Sequence, residues 1–200
     1  MSLRTAGPAA FLGALLLLAG CARLPPAAER DDALAQALPR FSVDGKVAWR
    51  SPEDAGRATL SWSQDGPRAR LVLSGPFGAG AAVLEDDGDG ARLAIGDREH
   101  RAAEAGALLE AELGLPLPVR EARHWVLGTV APGPARVLRR DPAGRPARIE
   151  QAGWTVAFEE RRSVDGFALP RRVEMSRGSL RLRFVATRWR PLVADFPAGG

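Results

Sequence analysis

Few side chains in this sequence of 200 residues are placed for catalysis. The two histidines, His100 and His124, fall in different predicted elements, and Cys21 is the only cysteine. No zinc-protease, serine-hydrolase or phosphate-loop motif occurs. The acidic run EDDGDG at residues 85–90 puts Gly96 where a calcium loop requires a glutamate, so it predicts a hairpin turn. We therefore predict a protein that is not an enzyme and that has no catalytic residues, no metal site and no cofactor.

The one reactive thiol lies at the end of an apolar N-terminal segment. Arg4 is the only charged side chain before it, and residues 9–20, AAFLGALLLLAG, are too few to span a membrane as a helix. Leu18-Ala19-Gly20-Cys21 resembles the signal of bacterial lipoproteins, in which the cysteine is acylated on sulfur and becomes the new N-terminus. An ordinary signal peptide with a chance cysteine stays open as the alternative. Residue 22 is alanine, and not the aspartate that favours inner-membrane retention, so we expect an outer-membrane anchor at Cys21.

The charge of the chain is modestly positive, with a formal net charge of +4 at pH 7. Arginines predominate over a single lysine, Lys46, and they fall singly along the predicted strands. Without a cluster of basic and aromatic residues, nucleic-acid binding is disfavoured. A basic surface suits either an acidic partner or an anionic membrane face.

Beyond residue 40 the apolar side chains recur with a period of two. In FSVDGKVAWR, residues 41–50, Val43, Gly45, Val47 and Trp49 share one face and polar residues occupy the other. The same alternation occurs in four further segments, residues 57–64, 67–74, 90–96 and 153–160. Turn signals separate the segments, at residues 64–66, 87–90, 141–144 and 164–166. This pattern predicts about ten antiparallel strands with one buried face and one solvated face.

One region departs from that period. Residues 101–128 predict two helices, the first ending at Gly114 and the second starting near Pro118. Leu108, Leu109 and Leu113 form the apolar face of the first helix. We therefore expect a large, curled antiparallel sheet whose concave face is covered or plugged by an inserted helical pair.

The five tryptophans lie mostly on predicted apolar faces. Trp49, Trp62 and Trp154 point to the buried side of their strands, Trp125 lies in the second helix, and Trp189 ends the last strand. Plain core packing explains each tryptophan alone. Together, on a curled sheet with a helical plug, they also fit a groove for acyl chains, because such pockets are mostly apolar.

An apolar ring sits in a predicted turn at SGPFGAG, residues 74–80. Pro76 and Gly78 suit a type I turn with Phe77 near its apex. Turn chemistry alone leaves two possibilities open: an exposed apolar wedge, or a loop that folds back and buries the ring.

Several of these segments together resemble one family, the LolB family of outer-membrane lipoproteins. The resemblance covers residues 41–192. It rests on the cysteine-ending signal and on the segments FSVDGKVAW, LSWSQDGPRARLVLSGPFGAGAAVL, LPLPVREARHWVLG, GWTVAFEE and LRLRFVATRWRPL. It implies a mainly β fold: a single large curled antiparallel sheet that forms an open, incomplete β-barrel, with helices covering the concave face. It also implies a cavity for acyl chains, and the hairpin that carries Phe77 matches one whose protruding apolar residue, commonly leucine, inserts into the membrane.

The resemblance predicts the following organisation and function. Residues 1–20 are a signal peptide, 21–40 a lipidated tether with a short helix, 41–192 the half-barrel and 193–200 a tail. The residues expected to line the acyl-chain cavity are Trp49, Leu60, Trp62, Leu71, Leu73, Leu93, Leu109, Trp125, Trp154, Val156 and Phe158.

The resemblance also implies partners. The monomeric protein would accept lipoprotein cargo from a LolA-like periplasmic carrier and insert it into the inner leaflet of the outer membrane, without covalent chemistry. A structural envelope lipoprotein and a half-barrel carrier of another lipid or glycolipid stay open as alternatives.

Overall fold

The structure is a computed structural model and describes residues 40–75 and 81–191. Within these ranges the chain forms eleven strands and two helices. They are β1 (Arg40–Arg50), β2 (Ala55–Asp65), β3 (Arg68–Ser74), β4 (Ala81–Asp86), β5 (Ala91–Ile95), β6 (Arg98–Ala102), α1 (Ala105–Leu113), α2 (Val119–Trp125), β7 (Ala135–Arg140), β8 (Pro146–Gln151), β9 (Trp154–Val164), β10 (Phe167–Arg177) and β11 (Leu180–Pro191).

All eleven strands belong to one antiparallel sheet with the order β6-β5-β4-β3-β2-β1-β11-β10-β9-β8-β7. The first and last strands of the described chain, β1 and β11, pair at its centre. β6 and β7 lie at opposite edges and do not pair with each other, so the sheet does not close. The predicted open half-barrel is confirmed.

The connection between the two edge strands contains both helices. α1 packs against β4, β5 and β6, and α2 packs against α1. Leu109 of α1 and Trp125 of α2 are fully buried in the same core cluster as the inward side chains of the sheet, such as Leu71 and Val156. The core is therefore the layer between the concave face and the helical pair, as the sequence predicts.

A bulge bends the centre of the sheet. The pairing of β1 with β11 shifts register between Asp44 and Gly45, and the Thr187 hydroxyl there donates a hydrogen bond to the Asp44 carbonyl at 3.0 Å. A Cβ on residue 45 would lie 2.5 Å from Cε2 of Phe184 and 2.6 Å from the Val185 carbonyl oxygen, so only glycine fits. Because a bulge increases local twist and bends its strand, this site contributes to the curl of the sheet.

The start of the helical region is the main correction to the predicted elements. The sequence predicts helix from residue 101, whereas residues 98–102 form the edge strand β6 and α1 begins at Ala105. β6 lacks apolar alternation because His100, which pairs with the buried Leu93, faces α1 and contacts Glu112 at 3.0 Å. A polar pair thus replaces the apolar contact by which an edge strand is recognised in a sequence.

Candidate functional site

Ten of the eleven predicted cavity residues lie together in the core, and we call the buried layer that they form the apolar interior. Each of the ten is at most 5% exposed. They are Leu60, Trp62, Leu71, Leu73, Leu93, Leu109, Trp125, Trp154, Val156 and Phe158. In this structure their side chains pack against one another and against α1 and α2. The apolar interior is thus filled by the protein's own side chains.

On the helical side of the apolar interior, the buried side chain of Gln151 makes three hydrogen bonds. Nε1 of Trp125 donates a hydrogen bond to Oε1 of Gln151 at 3.0 Å, and the same oxygen accepts the Ala131 N–H at 2.9 Å. Nε2 of Gln151 donates to the Ala131 carbonyl at 2.7 Å. The rings of Trp125 and Trp154 are 6.3 Å apart. One buried amide therefore joins α2, the segment after it and β8.

A second glutamine, Gln64, accepts the hydrogen bond of the indole N–H of Trp62 in β2. Nε1 of Trp62 donates to Oε1 of Gln64 at 2.9 Å, and Nε2 of Gln64 donates to the Gly66 carbonyl at 2.9 Å. Phe41 packs between Trp62 and Trp189, with ring centroids at 6.0 and 5.8 Å. The fully buried indoles of Trp62 and Trp125 thus each donate to a buried glutamine, which lets these large rings lie in an apolar layer with their N–H groups satisfied.

The eleventh predicted cavity residue, Trp49, lies at one end of the apolar interior and is half-buried. Its ring lies flat against Gly56, where a Cβ would come within 2.1 Å of Cζ2, and Nε1 donates to Oδ2 of Asp54 at 3.4 Å. The same carboxylate lies against Gly114, the left-handed residue (φ 60°) that ends α1. The β1–β2 turn therefore touches the end of α1 beside Trp49.

The end of β3 at Ser74 and the start of β4 at Ala81 lie toward this same end of the sheet. Ser74 pairs with Thr59 of β2 and with Ala81 of β4, on the side of β2 that leads to Arg50 and the β1–β2 turn. Arg40, the first described residue, is at the other end of β1. The predicted insertion residues Pro76, Phe77 and Gly78 lie outside the described residues, as does the predicted lipidation site Cys21.

The two histidines lie on different elements and do not pair with each other. His100 lies on β6 and His124 on α2, and thus in different elements as the sequence predicts. His124 is half-buried, and Nε of Arg123 donates to its Nε2 at 3.2 Å. Burial, with a smaller contribution from the charge of Arg123, lowers the pKa of His124 from 6.5 to about 4. Its imidazole is therefore neutral near pH 7 and acts as a hydrogen-bond acceptor.

This lowered pKa predicts a loss of stability in mild acid. Between pH 6.5 and 4 the unfolded chain binds a proton that folded His124 does not, so the free energy of unfolding falls as the pH falls. Since the side chain is partly hydrated, we expect a loss of about 1 to 2 kcal/mol between pH 7 and pH 5. Urea unfolding at the two pH values measures it. His124→Gln should remove most of this dependence, and an unchanged slope in that variant would contradict the assignment.

The sequence did not single out Gln64 or Gln151 as site residues, although a signal existed for both. Gln64 continues the buried phase of Leu60 and Trp62, and Gln151 continues that of Ile149. A polar residue in the buried phase of a strand needs a buried partner, and in both strands that partner is an indole. The run at residues 85–90 forms the predicted hairpin turn between β4 and β5.

Neither a metal centre nor a spanning helix occurs in the part of the chain that the structure describes. Across residues 40–75 and 81–191, no three His, Cys, Asp or Glu side chains come together as metal ligands. No helix within the same ranges is both long and apolar enough to cross a bilayer.

These features define a class of protein, an open antiparallel half-barrel whose concave face is covered by helices over an apolar interior. A LolA superfamily protein from Nitrosomonas europaea has a similar fold, with a TM-score of 0.55 over 85% of this chain and 94% of that chain, at 12% identity. The family model described as outer membrane lipoprotein LolB matches residues 39–189. The chain therefore belongs to the LolB family.

Curated relatives support this assignment over nearly the full length. The chain is 40% identical over 190 residues to the outer-membrane lipoprotein LolB of Halorhodospira halophila, covering 90% of this chain and 93% of the relative. It is 38% identical over 186 residues to that of Alkalilimnicola ehrlichii, covering 88% and 92%. The predicted family is confirmed, and with it the assignment as an outer-membrane lipoprotein of the Lol sorting pathway. The family consists of lipoprotein carriers and receptors and is not a known enzyme family.

Proposed function

We propose that this protein accepts lipoproteins from a LolA-like periplasmic carrier by taking their acyl chains into the apolar interior, and then inserts them into the outer membrane. The observation that supports this most strongly is the apolar interior itself. Ten of the eleven cavity residues proposed from the sequence form one buried layer between two structural elements, the sheet and the helical pair. Acyl chains are apolar and have no fixed shape, so a layer of packed apolar side chains is the chemistry that would receive them.

Entry of acyl chains requires the apolar interior to open. Because α1 and α2 are joined to the sheet by the connections from β6 and to β7, the helical pair can move as a unit without breaking strand pairing. We propose that the opening lies at Trp49, where Asp54 and Gly114 meet. The bound chains would then replace the contacts that the side chains make with one another, so no empty apolar volume is left in the loaded state.

The proposal assigns the remaining parts of the chain as follows. Residues 1–20 are removed as a signal, Cys21 is acylated, 21–40 form the tether, 41–192 the half-barrel and 193–200 a tail. Phe77, between Pro76 and Gly78 in the sequence, is the membrane-insertion residue. The protein works as a monomer with lipoprotein cargo, its carrier and the inner leaflet of the outer membrane as its partners.

A transfer assay tests this function. The mature chain with Cys21→Ser is mixed with a carrier loaded with a lipoprotein that contains brominated acyl chains. We expect the lipoprotein to move to this protein and its tryptophan fluorescence to fall, because bromine quenches indoles that lie within van der Waals contact and Trp49, Trp62, Trp125 and Trp154 line or adjoin the apolar interior.

The controls separate the alternatives. A lipoprotein with unbrominated chains should transfer equally without quenching. Failure of transfer from a carrier known to be loaded would refute the proposed function. Quenching by free brominated phospholipid or glycolipid without lipoprotein transfer would instead favour a carrier of another lipid.

A further inference from the structure

An arginine-lined groove lies on the outer face of the sheet, opposite the apolar interior. Its volume is about 820 Å³, and its walls come from β1, β2 and the strands from β7 to β11. Six arginines and two glutamates are the charged residues of its lining, namely Arg50, Arg57, Arg139, Arg148, Arg181, Arg183, Glu159 and Glu174. We call it the outer groove.

The two glutamates of the outer groove are already neutralised. Glu174 pairs with Arg183 at 2.8 Å, and Glu159 pairs with Arg172 at 3.2 Å. The other five arginines are exposed and make no ion pair with any of the described residues. Arg181 donates hydrogen bonds to the Gly178 and Leu180 carbonyls, which leaves four without a partner among the described residues, namely Arg50, Arg57, Arg139 and Arg148. Elsewhere on the outer face several arginines oppose a carboxylate on the next strand, as Arg136 opposes Glu150. The outer groove therefore collects positive charge that the protein itself does not balance.

The outer groove continues to the stem of the segment 75–81. A smaller hollow of about 610 Å³ shares Ala48, Arg57 and Arg183 with it and reaches Ser74 and Gly75. Its other walls are Lys46, Val47, Ala58, Thr59 and Val185. One continuous strip of the outer face thus runs from a mostly apolar hollow beside that stem to a cluster of unbalanced guanidinium groups.

We propose that the outer groove docks on the headgroups of anionic phospholipids at the membrane surface and so turns the stem at Ser74 and Gly75 toward the bilayer. Guanidinium groups match phosphate oxygens in geometry and in charge. Cationic residues near an anionic membrane surface are attracted to it individually, so four unbalanced arginines act together. This inference rests on the proposed function, because it supplies the orientation that insertion from the apolar interior needs.

The position of the groove favours a membrane over an acidic protein surface. An apolar hollow adjoining a cationic cluster suits an interface in which headgroups lie beside acyl chains. An acidic protein surface would engage the arginines but has no requirement for the hollow or for the neighbouring stem. The lipid anchor, which residues 22–39 connect to β1, keeps the whole chain near phospholipid phosphates in any case.

Vesicle binding tests the inference. The mature chain with Cys21→Ser is titrated with phosphatidylethanolamine vesicles with and without phosphatidylglycerol. We expect phosphatidylglycerol to increase binding, and Arg50→Gln with Arg57→Gln to weaken binding to these vesicles by about tenfold, with a weaker response to added salt. The matched control is Arg98→Gln with Arg162→Gln, which removes the same charge from exposed arginines outside the outer groove.

The possible outcomes decide the inference separately from the proposed function. Equal binding by the two double variants would overturn it, and so would a loss of carrier capture in the Arg50 and Arg57 variant with unchanged vesicle binding. Lipoprotein transfer from the carrier in the absence of vesicles remains the measure of the proposed function. Vesicle docking by the outer groove can therefore be refuted while lipoprotein transfer is observed, and the reverse is also possible.

Discussion

Replacing Gln151 with leucine is expected to lower the free energy of unfolding by about 3 kcal/mol or more. The amide makes three buried hydrogen bonds, with Nε1 of Trp125, the Ala131 N–H and the Ala131 carbonyl. Leucine has a similar volume but no polar atom, so all three partners lose a hydrogen bond inside the core. Each unsatisfied buried group costs about 1 to 3 kcal/mol, although one of the three can be rescued by local relaxation. Urea unfolding followed by tryptophan fluorescence measures the loss.

Gln64→Leu is the matched control. Gln64 also accepts from a buried indole, that of Trp62, but its second bond goes to the Gly66 carbonyl in a turn. That carbonyl can turn to solvent, so we expect a smaller loss than at Gln151. A double-mutant cycle with Trp125→Phe, which removes the indole N–H, isolates the bond between Trp125 and Gln151. An equal loss at both glutamines, or no coupling in the cycle, would contradict the role given to Gln151.

The strands were predictable because one buried face gives a period of two. Val43, Val47, Leu60 and Trp62 all lie inside as the alternation requires. Val72, the apolar exception in β3, lies on the outer face and is half-buried there. β6 was not predictable in this way, because His100 and Glu112 meet where two apolar residues would have marked the buried face.

The residues of the candidate site could be predicted from the sequence, but whether they enclose a cavity or fill it could not. Period and helix phase assign Trp125 and Trp154 to one layer, and the structure brings their rings together. Whether such a layer is hollow or filled depends on how closely the helices approach the sheet, which no local pattern encodes. The outer groove could not be predicted from the sequence for a related reason. Arg50, Arg57 and Arg148 come from strands far apart in sequence, and only the strand order places them around one groove.

Replacing Phe77 with glutamate is expected to slow insertion of cargo into membranes strongly while leaving acceptance from the carrier intact. The role of Phe77 comes from the family resemblance. The described residues on either side of it, Ser74 and Ala81, lie toward the Trp49 end of the sheet, where the proposed opening of the apolar interior is. A phenylalanine that enters the bilayer gains about 1.5 to 3 kcal/mol, and a carboxylate there loses this gain and resists desolvation. We therefore expect insertion to slow by about tenfold to a hundredfold.

Two measurements on the same variant separate a membrane role from a packing role. Tryptophan quenching by brominated cargo reports acceptance, and protease protection of the cargo in vesicles reports insertion. Phe77→Leu is the conservative control and should retain both, since leucine keeps the apolar bulk that membrane entry requires. If Phe77→Glu loses acceptance to the same extent as insertion, the ring packs against the protein. Membrane contact would then have to depend on other parts of the chain, and the outer groove beside Gly75 is the part to test first.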